Sequence, residues 1–468
     1  MSDRGAVSRR FTMDDQRWFG QTSGDVNPIH VDEITARRSL AGAAVVHGVH
    51  VALWALDSWA DESDAFPIGR LRATFRRPVV VGEEVAVRWL DDPDGGVQVQ
   101  VTAGREVRAV IAVVPGSAAG PAQTSAAAPA TTGDARPLDF GDAAGLAGRE
   151  PLVDALDATR AYPAAARVLG SGALAGLLAT SRIVGMECPG LHSLLAGIDV
   201  EVAHDDVDTL AWRVTRASSV RVPIAIEVEG PVAGTVTALF RQPPTAQPSY
   251  EAVAALVSAG ELDGHRALVV GGSRGLGELT AKIVAAGGGH PILTYARGRD
   301  DAVRVAAEIT AGGGRCDVEH LDVLHPRSLV ELEPTHLYYF ATPAIRAGVG
   351  FDADRFDDLV RYYVRGFWQT CADAARPPRP VRVLYPSSSF VASPTKELAE
   401  YAAAKSAGEA LCAWMNAHLE HVTVLVERFP PLRTDQTGLL LGPPPADPLV
   451  PIVAAVRRMH VQDQGGAP

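Results

Sequence analysis

Apolar residues run through this chain in three blocks with different periods. In the first, a short helical stretch near 13–19 and a polar loop precede a long apolar helix over 47–59. Strand-like alternation follows at 71–79, 84–90, 97–103 and 107–114. The second block repeats that order: a helix over 171–181, a Gly/Pro-rich loop, then strands at 195–202, 209–217, 222–229 and 234–241. A helix with an apolar stripe and a strand meander that can curl round it form an α+β unit with its own core, so a tandem pair is expected. The third block changes rhythm. Short apolar runs at 267–271, 291–296, 316–321, 336–341, 381–386 and 422–427 alternate with helical stretches such as 279–286, 302–310 and 356–374. That alternation predicts an α/β fold with a doubly wound parallel sheet.

Two breaks divide the chain. Residues 115–137 (PGSAAGPAQTSAAAPATTGDARP) carry almost no large apolar side chains and have too little to bury to offset their ordering entropy, which predicts a linker. In 241–249 (RQPPTAQPS) the prolines deny a continuous helix or central strand. The expected domains are 1–115, a 116–137 linker, 138–240 and 250–468, which suits a length of 468 residues. The last few residues are expected to fray.

Composition narrows the function classes. A net charge of −12 argues against nucleic acid and against an anionic membrane surface, since both need clustered Lys and Arg. No apolar run reaches about 18 residues, and the first ten residues lack a signal-peptide core, so neither a membrane span nor secretion is expected. Four scattered cysteines (Cys188, Cys316, Cys371, Cys412) have no metal-ligand spacing and fit a reduced, cytoplasmic protein.

In the first block, Ser23-Gly24-Asp25-Val26-Asn27-Pro28-Ile29-His30 puts a carboxylate and an imidazole on one Pro-shaped loop, ahead of His47-Gly48 at the start of the apolar helix. Such a helix start offers unhindered N–H groups to a developing thioester enolate oxygen. Asp25 and His30 can handle the α-proton and the 3-hydroxyl in a syn elimination or addition. Taken singly, an Asp and a His of this kind are more often a turn former and a satisfied core residue; the motif in its place before a His-Gly helix favours chemistry. With Phe75-Arg76-Arg77-Pro78-Val79 and Gly82, the segment resembles the MaoC-like (R)-specific enoyl-CoA hydratase family of hotdog proteins, over nearly all of residues 10–115. The resemblance implies Asp25 and His30 as the catalytic pair and Gly48 as the oxyanion donor. It also implies a hydroxyl residue about six positions after His47, where this chain has Leu53. The second block looks like a hotdog unit without the motif, expected to be a silent partner; Glu187 and His192 are the alternative residues for a second active site.

In the third block, Gly271-Gly272-Ser273-Arg274-Gly275-Leu276-Gly277 lies between an apolar strand and a helical run, the context for a pyrophosphate at a helix N-terminus. At the end of the second strand Arg297 stands where an acidic residue would hold a ribose 2′-hydroxyl, and Arg274 lies in the glycine loop. Both favour a 2′-phosphate, hence NADPH. Tyr401 and Lys405 share a helix face, where the ammonium is expected to lower the pKa of a phenol acting as proton donor. Ser388 precedes them at a strand end. These residues resemble the short-chain dehydrogenase/reductase family, in particular 3-ketoacyl thioester reductases, over about 262–440. The resemblance implies Ser388, Tyr401 and Lys405 as catalytic residues, Asp322 near the adenine, and Thr434 with the glycine-loop residues on the cofactor. The chain departs from the family at Val270, at Phe340-Ala341-Thr342-Pro343, at Tyr363 in place of a helix asparagine and at Pro430-Pro431; Ser387 and Ser389 stay open as the working serine.

The expectation is thus a double hotdog followed by a Rossmann-type sheet. Its function would be NADPH-dependent reduction of a 3-ketoacyl thioester and dehydration of the product to the trans-2-enoyl thioester, on CoA or an acyl carrier protein, in a possible homodimer. A catabolic hydratase–dehydrogenase and a reductase with a non-catalytic acyl-binding module are the alternatives.

Overall fold

The computed structural model describes residues 4–39, 41–92, 95–117, 133–203, 207–219, 222–325, 327–345, 347–348, 350–376, 378–437 and 445–461. Linker positions 118–132 and the expected fraying end lie outside them. The chain forms two compact units, Met1–Pro243 and Pro244–Pro468.

In the first unit the strands are β1 (Arg4–Arg10), β2 (Ile68–Phe75), β3 (Glu84–Asp91), β4 (Val97–Ala103), β5 (Glu106–Pro115), β6 (Ala147–Pro151), β7 (Ser193–Val202), β8 (Thr209–Arg216), β9 (Ile224–Glu229) and β10 (Val232–Phe240). They make one ten-stranded antiparallel sheet in the order β1-β3-β4-β5-β2-β7-β10-β9-β8-β6. Numbered within each half, that order reads 1-3-4-5-2 and then its own reverse, so the halves are related as if by a twofold axis through the β2–β7 seam. There Arg70 faces Glu201 and Arg72 faces Asp199, and both arginines pair with Asp199, at 2.9 and 2.7 Å. Helices Gly48–Asp61 and Ser171–Arg182, apolar nearly all round, share one core with the sheet.

The hydrophobic pattern located both long helices and eight of these strands; β1 and β6 escaped it. Both are edge strands, the first rich in arginine and the second Ala-Gly-Arg-Glu-Pro, polar as exposed edges tend to be. The strand expected at 71–79 ends at Phe75, where the ladder breaks as Arg76 N and Arg77 N both donate to the Arg108 carbonyl, at 2.8 and 3.3 Å. Helices Leu156–Ala161 and Pro163–Leu169 were also unforeseen. Asp57 caps the second of them through Ala164 N and Ala165 N, at 2.8 and 3.0 Å.

The second unit holds β11 (Arg266–Val270), β12 (His290–Tyr295), β13 (Asp317–His320), β14 (His336–Tyr339), β15 (Val381–Ser388) and β16 (Val422–Phe429), all parallel, in the order β13-β12-β11-β14-β15-β16. This is a doubly wound sheet whose strand order reverses between β11 and β14, where such sheets bind ligands beyond their strands' carboxyl ends. The helix expected over 356–374 is interrupted by a π-helical turn, Arg361–Gly366. Among the described residues no single helix is long and apolar enough to cross a membrane.

Candidate active sites

In the first unit, local capping delivers Asp25 to the cavity. A Thr12–Asp15 capping box starts the helix Met13–Ser23, and Gly24, left-handed at φ 75°, stops it. Asn27 then caps a short turn, Pro28–Val31, through Ile29 N. Asp25 is 2 % exposed. Its Oδ2 accepts a hydrogen bond from Ser181 Oγ at 2.7 Å, and Oδ1 accepts one from Asn27 N at 3.3 Å. Burial pushes its pKa up, opposed by the His30 charge and these hydrogen bonds.

His30 Nδ1 lies 2.7 Å from the carbonyl oxygen of Val45. A carbonyl only accepts, so Nδ1 carries the proton and Nε2 keeps its lone pair. Burial lowers the pKa of His30, which favours this neutral form. The ring stacks on His47 at 3.9 Å between centroids. His47 is anchored at both nitrogens, Nδ1 at 2.9 Å from Gln16 Oε1 and Nε2 at 2.9 Å from the Asp25 carbonyl oxygen. Polar atoms of Asp25, His30 and His47 all lie within 4.8 Å of one another.

Gly48 opens the long helix behind an N-cap, His47, that supplies no side-chain bond. Its first-turn N–H groups therefore lack intrahelical acceptors. Asp25, His30, Gly48, Phe75, Val184 and Leu195 line a cavity of about 110 Å³, which Arg76, Arg77, Pro78 and Val79 also border. The structure thus gathers all three residues singled out for the first block. Leu53 is fully buried in the core; the hydroxyl on the carboxylate comes from Ser181, in the second half of the sheet. Asn27 reaches the same half, with Nδ2 donating to the Gly185 and Gly190 carbonyls at 2.7 and 3.0 Å. Gly185 sits in a π-helical turn, Ile183–Glu187, where a Cβ would fall 2.0 Å from Asp25 Oδ1. Sequence reading missed Ser181 because it is 156 positions from Asp25.

In the second unit the helix Gly275–Ala286 begins at the carboxyl end of β11. The loop before it fits a nucleotide pyrophosphate by its lack of side chains: a Cβ on Gly277 would lie 2.4 Å from the Gly271 oxygen, so bare backbone and first-turn N–H groups face outward there. Ser273 is buried, and Leu276 packs on the core below. A Cβ on Gly275 would meet Thr434 Cγ2 at 3.8 Å, and the neighbouring Asp435 pairs with Arg274 at 3.3 Å. Arg274 is therefore already engaged by an acid, whereas Arg297 is exposed just past β12. Asp322 serves its own turn, accepting from Leu324 N at 2.9 Å and meeting His325 Nδ1 at 3.0 Å.

Ser388, Tyr401 and Lys405 converge at the end of β15 and on the helix Ala399–His418. Of the three serines, Ser388 is the one that acts on the Tyr401 phenol, lowering its pKa, while Ser387 donates to Glu409. The expected lowering of Tyr401's pKa is not found: burial pushes it up to about 12, with only the Ser388 bond opposing. The reason lies in Lys405. Its Nζ donates to the Pro386 carbonyl at 2.7 Å and rests 3.9 Å above the Tyr363 ring, 6.0 Å from that of Tyr401. Burial drops its pKa to about 7. Tyr363 is fully buried and bonded to Thr342 Oγ1 at 2.5 Å.

Residues 3–110, which hold this acid–base pair at a helix start inside a helix-filled antiparallel sheet, match the family profile described as MaoC like domain. No curated protein matches the chain. Solved structures similar to part of it include the angucycline C-6 ketoreductase LanV with bound NADP (23 % identity, 43 % of this chain, 90 % of that one, TM-score 0.37). Two others are a short-chain dehydrogenase/reductase from Serratia marcescens (24 %, 42 % and 91 %, 0.38) and the alternative dihydrofolate reductase FolM from Brucella suis in complex with NADP (18 %, 37 % and 74 %, 0.34). The parallel sheet of the second unit stands on its own strand order.

Proposed function

We propose that the chain carries out two consecutive steps on an acyl thioester: NADPH-dependent reduction of a 3-ketoacyl group, and dehydration of the resulting 3-hydroxyacyl group to the trans-2-enoyl product. The first unit is read as a double hotdog and the second as a short-chain reductase. The observation that carries the reading is the meeting of the Asp25 carboxyl, the free Nε2 of His30 and the Gly48 helix start in one cavity.

In dehydration, His30 Nε2 removes the α-proton while Gly48 N–H holds the thioester oxygen as it gains charge. A single preorganised donor of this kind contributes about 10²–10³-fold. Asp25, whose pKa burial raises, gives its proton to the departing 3-hydroxyl, which leaves as water. The product water relays the α-proton now on His30 to Asp25, and the pair is reset. In the second unit the glycine loop would hold the NADPH pyrophosphate and Arg297 its 2′-phosphate. The nucleotide supplies hydride when bound. Tyr401, oriented by Ser388, gives the proton to the ketone oxygen, and its raised pKa keeps it protonated until the oxygen becomes basic.

Incubation with a 3-ketoacyl thioester, on CoA or an acyl carrier protein, and NADPH should give both the 3-hydroxyacyl and trans-2-enoyl products by mass spectrometry. Hydroxyacyl product alone would remove the dehydratase step, and unreacted substrate would remove the reductase step, with hydration of a trans-2-enoyl thioester then deciding the dehydratase. Tyr401→Phe should abolish reduction and leave enoyl hydration intact.

A further inference from the structure

We propose that Ser181, supplied by the half of the sheet that carries no acid–base motif, is the positioning residue of Asp25, so that the hydration site is complete only with both halves. This rests on the hydratase reading of the first unit. The Ser181 hydroxyl bonds Asp25 Oδ2 at 2.7 Å in a buried setting, leaving Oδ1 with one longer contact from Asn27 N. One carboxyl oxygen is thereby fixed and the other is free to exchange protons with substrate. The helix carrying Ser181 ends there and passes into the π-helical turn that presses Gly185 against the same carboxylate.

The mirror position shows that this is a local solution. Ser58 stands as far from Gly48 as Ser181 does from Ser171, but it donates to the Trp54 carbonyl at 2.9 Å within its own helix. The adjacent Asp57 is used to cap Pro163–Leu169. Of two related hydroxyls, one serves a carboxylate and the other only its helix.

The charged and titratable groups around Asp25 are His30, Arg182, which is bonded to Glu150 at 2.8 Å, and His47 at its backbone oxygen. None of them replaces the Ser181 bond. A hydrogen bond to the ionised carboxyl favours ionisation, so its loss should raise the Asp25 pKa by about one unit.

The test is Ser181→Ala beside Ser181→Thr in the full chain, with hydration of crotonyl-CoA followed across pH. Expected for Ser181→Ala are a 10–100-fold fall in kcat with little change in KM and an upward displacement of the pH profile by about one unit; Ser181→Thr should restore both. A purely structural serine would lower thermal stability without moving the profile. The Asp25 carboxyl ¹³C titration, assigned by Asp25→Asn, reads the same coupling with no substrate and should move upward in Ser181→Ala. Wild-type hydration with an unmoved profile and carboxyl titration in Ser181→Ala overturns the positioning role alone. A wild-type protein that hydrates no thioester overturns the site reading, and the carboxyl titration then still decides whether Ser181 governs Asp25.

Discussion

At the scale of single residues, burial does most of the tuning in both sites, and it acts in opposite directions on acids and bases. It raises Asp25 and lowers His30, the directions that the proposed dehydration asks of its acid and its base. Asp25→Asn and His30→Ala should each reduce hydration of a trans-2-enoyl thioester about 10²–10⁴-fold, with the reductase unaffected, as checked by parallel assays. Lys405 offers a thermodynamic test. Its pKa is about 7 in the folded chain against an ordinary 10.5, so between those values the unfolded state binds more protons and stability rises with pH through that window. Lys405→Met should flatten this rise, measured as the change in melting temperature of the second unit between pH 7 and 9 relative to wild type. Arg297 faces solvent while Arg274 is held by Asp435. Arg297→Asp should therefore lower the NADPH/NADH ratio of kcat/KM about tenfold or more, by losing a charge-assisted hydrogen bond to the 2′-phosphate.

At the scale of elements, the sequence announced the segments that carry the motifs. The Asp25–His30 loop, the glycine loop and the Tyr401–Lys405 face are each contiguous, and each lies on the element expected of it. What stayed hidden depends on distant partners. Ser181 and Gly185 reach Asp25 only after the sheet closes, and the clamp of Tyr363, Tyr385 and Pro386 on Lys405 joins three segments. Edge strands β1 and β6 carry too little hydrophobic contrast to be read. Both candidate sites abut a π-helical turn, Ile183–Glu187 in one unit and Arg361–Gly366 in the other. Such turns recur at functional sites because the extra residue redirects a side chain or backbone. Here one brings Gly185 to the carboxylate and the other carries Tyr363, whose ring lies beneath the lysine.

At the scale of the whole molecule, each unit buries its own core, among the described residues one cluster in the first and three in the second. Unfolding is therefore expected in two transitions by calorimetry. NADP⁺ at 100 times its Kd should stabilise only the second unit, by about 2.7 kcal/mol; a ligand shift shared by both transitions would contradict that independence. The β2–β7 seam also has a consequence for how the chain is made. When Phe75 has left the ribosome, β2 has β5 to follow on one side, but its other edge has no partner until Val202 is synthesised. At about 5–20 residues per second that interval lasts on the order of ten seconds. Throughout it the nascent first half presents an open strand edge and an Asp25 without its serine, so the interval in which a neighbouring copy can pair with that edge is also the interval in which the proposed hydration site is incomplete.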